Sequence, residues 1–526
     1  MGSVKSDVAS GNPLINGLLY GVSWDANVTY SISNSTADYP DNYMVSALDG
    51  IRPMTDAQTV AIYQALDADM VSEPASGFTV EGFTNLNVMG AETGQIRAGS
   101  SSTENLAFAF YPSYSGYGGD VWFGNSGDRP AVGNYDYHTV LHEIGHAVGL
   151  KHGQDGTPYD PENIPQLNTA LPSQYDSMEY SVMTYRSYVG QDIGGYTNET
   201  WGFAQTFMMA DIAALQYLYG ADYTANAGDT VYEWRPDSGN TWINGEVAIS
   251  PGANKIFLTI WDGDGNDTYD LSAYPNDLDV DLSPGGTSEL GSNQLAWLGG
   301  GNDDNGSYAS GSVYNALMHG NDTRCLIENV ICGSGDDLVR GNRADNVIEG
   351  GLGFDTLVFD GNRDDYDISS KHGVLSVVDQ RGVDGTDTAE SIELFRFADG
   401  DHSADHFLNR VTGSDRGEYL AGTDVDDVIW SKGGRFDRMY GGDGADRFVI
   451  GAETTNGTAE REIIYDYEVG IDQIALMDGA SVSHFSTTSS FLVAHFAGDG
   501  DQLFIGGDAV DPDYLTFTAA DGLLLA

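Results

Sequence analysis

The spacing of apolar and polar residues changes near residue 225 of this 526-residue chain. Before that point, some segments place apolar residues at helical intervals and others are rich in strand-forming residues. After it, helical periodicity almost vanishes, and short apolar pairs alternate with turns rich in glycine and aspartate. The pattern therefore predicts a region of mixed helix and strand followed by an all-β region.

In the first region the pattern predicts three helices and two strands. Helices are expected at residues 55–69, 138–150 and 206–219, with a Thr/Asp cap before the first and a glycine after the last. Strands are expected at 106–111 and 120–123, where aromatic and aliphatic residues cluster.

In the second region a nine-residue step separates Gly341 from Gly350 and Asn346 from Asp355. Repeats of the form G-G-x-G-x-D-x-U-x, with U apolar, are typical of parallel β-helices that bind Ca²⁺ between turns. Glycine permits the sharp turn, aspartate adds a carboxylate and the apolar residue fills the core. The clearest matches lie at 350–355 and 441–446, and weaker ones at 262–267, 332–337, 341–346 and 432–437.

A single copy would fit the loops of an ordinary β-sandwich equally well, but several copies in register favour a β-roll. Residues 361–408 lack the repeat, and we predict an insertion there, with antiparallel strands at 375–382 and 391–400. Residues 285–325 also resemble an insertion.

Charge and composition narrow the classes of function. The chain has 79 acidic and 22 basic residues, and its formal net charge is −57. This balance argues against binding to nucleic acid or anionic membranes and favours cations. No run of 18 apolar residues predicts a membrane span, and residues 1–20 hold no apolar segment typical of an ordinary secretory signal peptide. The chain has only two cysteines, Cys325 and Cys332, which excludes a disulfide-rich scaffold. These two could form one disulfide bridge or remain as two free thiols.

The segment HEIGHAVGLKH fits the pattern H-E-x-x-H-x-x-G-x-x-H. His142 and His146 share one face of a helix, and Gly149 lets the chain bring His152 back as a third ligand. Three imidazoles leave Zn²⁺ an open position for water, whose proton Glu143 is placed to take. Such a site hydrolyses amides or esters. Ordinary core histidines and an inactive zinc site are the alternatives, and the fixed spacing and the intact acid argue against them.

A second motif, SVMTY, follows at residues 181–185. Met183 alone would be an ordinary core residue, but after an extended zinc motif it matches the Met-turn of metzincins. With the repeats, these motifs resemble the serralysins, which are secreted bacterial metzincin endopeptidases with a C-terminal calcium-binding repeat domain. The resemblance runs from residues 17–24 to at least 466–476.

The resemblance implies a role for each residue of the site. The expected zinc ligands are His142, His146 and His152, with Tyr185 as a further ligand in the resting state. Glu143 would be the general base, Tyr185 would bond the oxyanion during turnover, and Met183 would form an apolar floor. Residues 106–112 resemble an edge strand that pairs with substrate backbone, although an edge strand without substrate contact is the alternative. Its expected substrate-binding residues are Ala107, Phe108, Ala109 and Phe110.

The resemblance also implies several structural calcium ions, held in part by backbone oxygens. The expected positions are Asn226, Gly228, Thr230, Asp262, Asp264, Gly265, Asp267, Glu328, Gly333, Gly335, Asp337, Asn342, Ala344, Asn346, Gly351, Gly353, Asp355, Gly442, Gly444 and Asp446. Arg435 stands at a usual glycine position, which predicts weak binding in its turn, and Cys332 replaces the first glycine of another.

The expected domains are a leader or propeptide remnant at 1–13, an α+β metzincin catalytic domain at 14–225 and an all-β parallel β-roll at 226–526. The roll would carry the insertion at about 361–408 and a C-terminal secretion region. An acid before an apolar tail at 521–526 only loosely resembles the signal for one-step (type I) secretion.

We therefore expect a secreted, monomeric zinc endopeptidase with one catalytic zinc, calcium-stabilised repeats and broad specificity for extracellular proteins or peptides. Two alternatives stay open at this point. One is a calcium-dependent adhesin or matrix protein with a vestigial zinc site. The other is a metzincin with a single natural target.

Overall fold

A computed structural model describes residues 3–25, 27–156, 167–299, 307–414, 416–432, 436–450, 459–477, 480–497, 500–507, 512, 515 and 517–519. Within it the chain divides into two compact units, Met1–Ala344 and Asp345–Ala526. The first unit contains both the helical region and the first turns of the predicted roll. The predicted boundary between residues 225 and 226 stays a prediction.

The first unit begins with a mixed sheet beneath the helices. Its strand order is Asn87–Gly90, Asn27–Ser33, Ile96–Ser101, Val121–Phe123 and Phe108–Ala109. The first four strands are parallel, and the last pairs antiparallel with its neighbour and therefore lies at the edge. Two short strands complete this region: Ile51–Arg52, which pairs with Ile96–Ser101, and Val4–Ser6, which pairs with Val22–Trp24.

The three predicted helices are confirmed, with small shifts at their ends. The helices of the described residues are Pro13–Asn16, Asp56–Leu66, Glu73–Ser76, Val80–Phe83, Tyr135–Ala147 and Met209–Tyr219. Tyr135–Ala147 begins three residues earlier than predicted because the Asn134 side chain accepts the Tyr137 N–H, which caps the helix at that point. Met209–Tyr219 ends where Gly220 takes φ 86°. None of these helices has the length and apolar character needed to cross a membrane.

The first turns of the repeat region form short parallel strands. Thr268–Asp270 lies between Val231–Arg235 and Asn329–Ile331, and Asp279–Asp281 pairs with Leu338–Arg340. Each of these three-residue strands buries its central side chain. Two of the central residues, Val330 and Val339, are nine positions apart, which matches the predicted repeat length. Further strands are Ser238–Ile243, Glu246–Ile249, Leu258–Ile260, Thr287–Ser288, Trp297–Gly299, Ser307–Tyr308 and Val313–Asn315.

Within the first unit, residues 310–314 contact the region that holds the helices. Glu179 Oε2 accepts the Ser310 N–H at 2.7 Å and the Tyr314 hydroxyl at 3.0 Å. Cys325 and Cys332, which both belong to the described residues, are buried and are not joined by a disulfide. Burial raises the pKa of the Cys325 thiol to about 12.

In the second unit the roll continues through part of the predicted insertion. Thr386–Glu390 pairs in parallel with Val347–Glu349, and Leu394–Phe397 pairs in parallel with Thr356–Val358. Antiparallel pairing was predicted for 391–400, and here it holds only toward Gly400–Ser403. The excursion from the roll is the hairpin of Tyr366–Lys371 and Val374–Asp379, whose second strand also pairs antiparallel with Thr386–Glu390.

The rest of the second unit consists of two facing strand sets with a shared apolar core. One set is parallel: Asn409–Thr412, Asp427–Trp430, Arg447–Ile450, Gln473–Leu476 and Phe517–Ala519. The other is Tyr419–Ala421, Phe436–Tyr440, Arg461–Tyr467 and Gln502–Gly507, followed by the antiparallel strands Leu492–Phe496 and Val482–Thr487. Residue 435 and the tail at 521–526, for which predictions were made, lie outside the described residues.

Candidate metal centre

Three histidines converge at the end of the helix Tyr135–Ala147. One ring nitrogen from each of His142, His146 and His152 lies within 4.8 Å of the others, and His146 Nε2 is 3.0 Å from His152 Nε2. Gly149, with φ 111°, reverses the chain between the second and third histidine. The structure therefore brings together the three side chains that the motif predicts.

Each histidine uses its Nδ1 for a separate contact. His142 Nδ1 lies 2.8 Å from the Val182 carbonyl oxygen, and His146 Nδ1 lies 2.7 Å from the Leu150 carbonyl oxygen. His152 Nδ1 lies 3.0 Å from Asp155 Oδ2. Acceptors at all three Nδ1 atoms favour the tautomer whose Nε2 lone pair is free for a metal.

Burial keeps these rings neutral, which is the form that binds a metal. It lowers the pKa of His146 to about 3 and lowers the pKa of His142 and His152 as well. His142 Nε2 is buried and has no hydrogen-bond partner among the described residues. An orphaned nitrogen of this kind fits a metal ligand.

Two further predicted residues lie at the same place. The Tyr185 hydroxyl is 2.9 Å from His152 Nε2, and burial raises its pKa to about 12. Met183 is fully buried against the helix, and a Cβ on Gly145 would lie 2.4 Å from Met183 Sδ. Glycine at position 145 is therefore what lets the methionine pass directly beneath the histidines.

Glu143 lies beside the triad and is 7% exposed. Burial raises the pKa of its carboxyl to about 8, and within the described part of the chain its Oε2 has no hydrogen-bond partner. A carboxyl of this kind exchanges a proton readily near neutral pH.

The triad opens into a cavity of about 520 Å³. Its wall includes Glu143, Tyr185 and Tyr196, and at one side Leu106 and Ala107 of the predicted substrate strand. Phe108–Ala109 forms the edge strand of the mixed sheet. The Phe108 and Phe110 rings pack into a separate cluster with Trp122, whereas Ala107 and Ala109 pack against the main core.

The sequence pattern did not point to Lys151 and Asp155 as supports of the third histidine. Lys151 is 1% exposed, and its ammonium donates to the carbonyl oxygens of Gly17, Asp155 and Thr169. It thereby anchors the loop that carries His152 and Asp155. A lysine beside a motif histidine gives no sequence signal of burial, because lysines are usually exposed.

The predicted calcium residues of the first turns also come together. The Thr230 hydroxyl lies 3.1 Å from the Asn226 carbonyl and 2.8 Å from the Gly228 carbonyl. The Thr230 N–H donates to Asp267 Oδ1, and the Asp267 N–H donates to Glu328 Oε2, each at 2.8 Å. This turn gathers carbonyl and carboxylate oxygens, which are the ligands of Ca²⁺.

A second contact of the same turn is made by Asp262. Its Oδ2 accepts the Tyr232 hydroxyl at 2.7 Å, and its Oδ1 accepts the Asp264 N–H at 3.2 Å. Gly265, which lies between Asp264 and Asp267, has φ 154°. Burial raises the pKa of both Asp262 and Asp267, which lie close together.

Later turns repeat one contact, in which a carboxylate accepts a backbone N–H of a neighbouring turn. The pairs are Leu278 to Asp337, Asn346 to Asp387, Asp355 to Glu393, Asp427 to Asp446 and Asp446 to Asp472, at 2.7 to 3.0 Å. Asp387, Glu393 and Asp472 were missed because their turns lack the paired glycines. For Glu393 and Asp472 the only sequence signal is an acid just before a strand, whereas Asp387 lies inside the strand Thr386–Glu390.

The predicted glycine positions at 333–335, 351–353 and 442–444 fall into two kinds. Gly351 and Gly353 have φ 96° and 131°, and Gly442 and Gly444 have φ 104° and 134°. Gly333 and Gly335 are needed for close approach instead, since a Cβ would lie 1.9 Å and 2.3 Å from backbone atoms of the adjacent turn. In the turn at 341–346, where Asn342 and Ala344 stand at the second and third glycine positions, Asn342 Oδ1 accepts the Ala344 N–H at 2.9 Å.

The chain therefore combines a group of three histidines that could hold a metal ion with a region of acidic parallel turns. Comparison with known proteins gives the family. Residues 221–512 match the family described as Peptidase M10 serralysin C terminal, and the chain belongs to it.

Curated relatives extend the likeness beyond that region. The chain is 29% identical to serralysin G of Dickeya chrysanthemi over 66% of its own length and 65% of that protein. It is 34% identical to metallopeptidase AprA of Pseudomonas marginalis over 46% of each chain. Serralysin of Proteus mirabilis is 34% identical over 46% of this chain and 44% of that protein. The matches thus span about half to two thirds of these relatives.

A likeness to a solved structure is much weaker. The extracellular lipase LipA of Serratia marcescens shares 15% identity over 36% of this chain and 38% of that one, with a TM-score of 0.17. At this level the likeness carries no argument about fold or function.

Proposed function

We propose that this chain is a secreted, zinc-dependent endopeptidase of broad specificity whose repeat region is stabilised by calcium. One observation carries the proposal: two buried imidazoles and one half-buried imidazole converge while each Nδ1 has its own acceptor, with Glu143 buried beside them. Nitrogen donors in this arrangement suit zinc.

The donor set is consistent with one zinc ion. His142, His146 and His152 would hold it, and Tyr185 lies within hydrogen-bonding distance of the third histidine and would complete the resting site. The unpaired His142 Nε2 supports this assignment. A zinc ion in this site supplies Lewis acidity to the substrate carbonyl and to water.

Glu143 is the group that moves the proton. Its carboxylate takes a proton from the attacking water and returns it to the amine that leaves when the peptide bond breaks. Burial in an apolar wall raises its pKa and so makes it a stronger base than an exposed glutamate. Tyr185 is 37% exposed and lines the cavity, from where its hydroxyl can donate to the oxygen that gains charge.

Protein substrates are favoured by the edge strand. Phe108–Ala109 has one side without a partner strand among the described residues, and it borders the cavity through Ala107. An extended peptide that pairs there contributes backbone hydrogen bonds, which are independent of sequence. This supports broad cleavage of flexible proteins whose backbone binds along residues 106–110.

Calcium is the cation that we propose binds to the acidic turns. With a net charge of −57, the carboxylates of these turns repel one another until cations neutralise them. Calcium binding would then contribute free energy of folding to the repeats, which suits export through a narrow channel before folding outside the cell. The domain limits, the type I export route and the monomeric state remain part of this proposal.

The test is hydrolysis of casein with zinc and millimolar calcium present. We expect Glu143→Gln to lose activity by about 10²- to 10⁴-fold with unchanged zinc content. Glu92→Gln, which alters an exposed acid of the same unit, is the matched control and should retain activity. A folded, zinc-loaded wild type without activity, or an active Glu143→Gln, would contradict the enzyme and favour a calcium-dependent binding module.

A further inference from the structure

His138 is a second kind of buried histidine on the helix Tyr135–Ala147. It lies one helical turn before His142 and is 1% exposed. Neither of its ring nitrogens has a hydrogen-bond partner in the part of the chain that the structure describes. It lies outside the group of three histidines that can hold one metal.

The surroundings of this ring are aromatic. The Tyr196 ring is 5.0 Å from it in an edge-on arrangement, and the Phe203 ring is 5.7 Å away. All three rings, with Tyr135, line the cavity that also contains Glu143. The imidazole of His138 and these aromatic rings therefore form one part of the cavity wall, beside the catalytic acid.

An unpaired imidazole in such a slot has a definite chemical complement. A neutral ring presents one N–H donor and one lone pair, and buried polar groups in proteins are normally hydrogen-bonded. An apolar substrate side chain would leave both ring nitrogens unpaired. An acidic side chain would be repelled by the Glu143 carboxylate, and a basic one would pair with that carboxylate rather than with the imidazole.

We propose that His138 is a specificity-determining residue that hydrogen-bonds the end of an uncharged polar substrate side chain, of which the glutamine amide is the representative. Glutamine combines an apolar stem, which suits the aromatic walls, with a flat end that both donates and accepts. It therefore matches either tautomer of the ring. This inference rests on the proposed endopeptidase function.

The test compares two peptides that differ only by glutamine or methionine at a position adjoining the cleaved bond. Methionine has nearly the same length as glutamine and lacks the amide. We expect wild type to favour glutamine at one of the two adjoining positions by at least about tenfold in kcat/KM, the size of one hydrogen bond. This ratio cancels general losses of activity or folding.

Three variants assign the preference to His138. His138→Leu should abolish or invert the ratio, and His138→Gln should retain it because an amide also donates and accepts. Tyr135→Phe changes another wall residue of the cavity and should leave the ratio unaltered. Equal ratios in wild type and His138→Leu would overturn the inference.

Binding separates this inference from the proposed function. Calorimetry with Glu143→Gln measures the affinity for the two peptides without turnover, and the glutamine preference should again be about tenfold. If wild type cleaves casein but binds both peptides equally, only the inference fails. If nothing is cleaved yet the preference in binding depends on His138, only the proposed function fails. A second zinc ion that is lost in His138→Leu would show that His138 is a metal ligand and would also overturn the inference.

Discussion

The histidine centre and the acidic turns bring buried ionisable groups toward neutrality from opposite sides. Burial lowers the pKa of His146 to about 3 and raises the pKa of the Asp446 carboxyl to about 8. The imidazole nitrogens can therefore bind a metal ion without competition from protons. The buried carboxyls must release their protons before they bind a cation. The two regions therefore differ in whether metal binding has to displace protons.

They also differ in how many residues each depends on. The histidine centre is built once, from three ligands that each have a different supporting contact. The roll repeats one contact, in which a carboxylate accepts the N–H of a neighbouring turn, and spreads it over many residues. Single substitutions should therefore abolish the function of the first region but only weaken the second.

The largest effect is expected for His146→Ala. Loss of one of three nitrogen ligands should remove zinc and lower the rate of casein hydrolysis by about 10³-fold or more. The calcium concentration needed to fold the repeats should be unchanged, as measured by circular dichroism. His484→Ala alters an exposed histidine and is the control. A shifted calcium midpoint in His146→Ala would break the separation of the two regions.

Calcium removal should have the next largest effect, on stability. Without cations the carboxylates of the turns repel one another, so we expect the melting temperature to fall by more than about 10 °C. The measurement is calorimetry with and without a calcium chelator. A zinc-selective chelator is the control and should abolish activity with a much smaller change in melting. Repeats that fold cooperatively in calcium-free buffer would contradict the account.

A core substitution in the roll should cost less. Ile348 is fully buried at the centre of Val347–Glu349, so Ile348→Ala should lower the free energy of unfolding by about 2–5 kcal/mol. The adjacent Val347 is 50% exposed, and Val347→Ala should change it by no more than about 0.5 kcal/mol. Denaturant titration measures both. Equal costs would show that the two side chains are not on opposite faces of the strand.

The smallest effect concerns pH and Asp211. Burial raises the pKa of this carboxyl to about 7, although it accepts the Ser181 hydroxyl and the Val182 and Met208 N–H groups. A raised pKa means that the contribution to stability is complete below about pH 4 and is lost as pH rises through 7.

Wild type should therefore lose about 2–3 kcal/mol more than Asp211→Asn between pH 5 and pH 8, because one carboxyl changes stability by at most about 1.4 kcal/mol per pH unit and the change ends just above pH 7. Denaturant midpoints at the two pH values measure the difference. Parallel pH profiles for wild type and Asp211→Asn would show that this carboxyl does not titrate in the folded protein.

Much of the histidine centre was predictable because its geometry is local. The i, i+4 spacing of His142 and His146 fixes their shared face, and Gly149 indicates the reversal that returns His152. The anchor of the loop, Lys151, was not predictable, since two of its three carbonyl partners, Gly17 and Thr169, come from distant segments. His138 was passed over because burial without a partner is a tertiary property.

The roll was predictable where its turns carry glycine. The step of nine between Val330 and Val339 appears directly in the structure as successive buried strand centres. The roll strands at Thr386–Glu390 and Leu394–Phe397 were not recognised, because a hairpin separates them from the preceding repeat. Parallel pairing across such an excursion leaves no periodic signal in the sequence.

The most direct test of the account is anomalous diffraction from crystals grown with zinc and calcium, collected on both sides of the zinc absorption edge. The account predicts one zinc peak among His142, His146 and His152 and none at the acidic turns, where density for calcium should lie near Asp267 and Asp446. Zinc at the acidic turns, or its absence from the three histidines, would contradict the division of labour between nitrogen and oxygen sites.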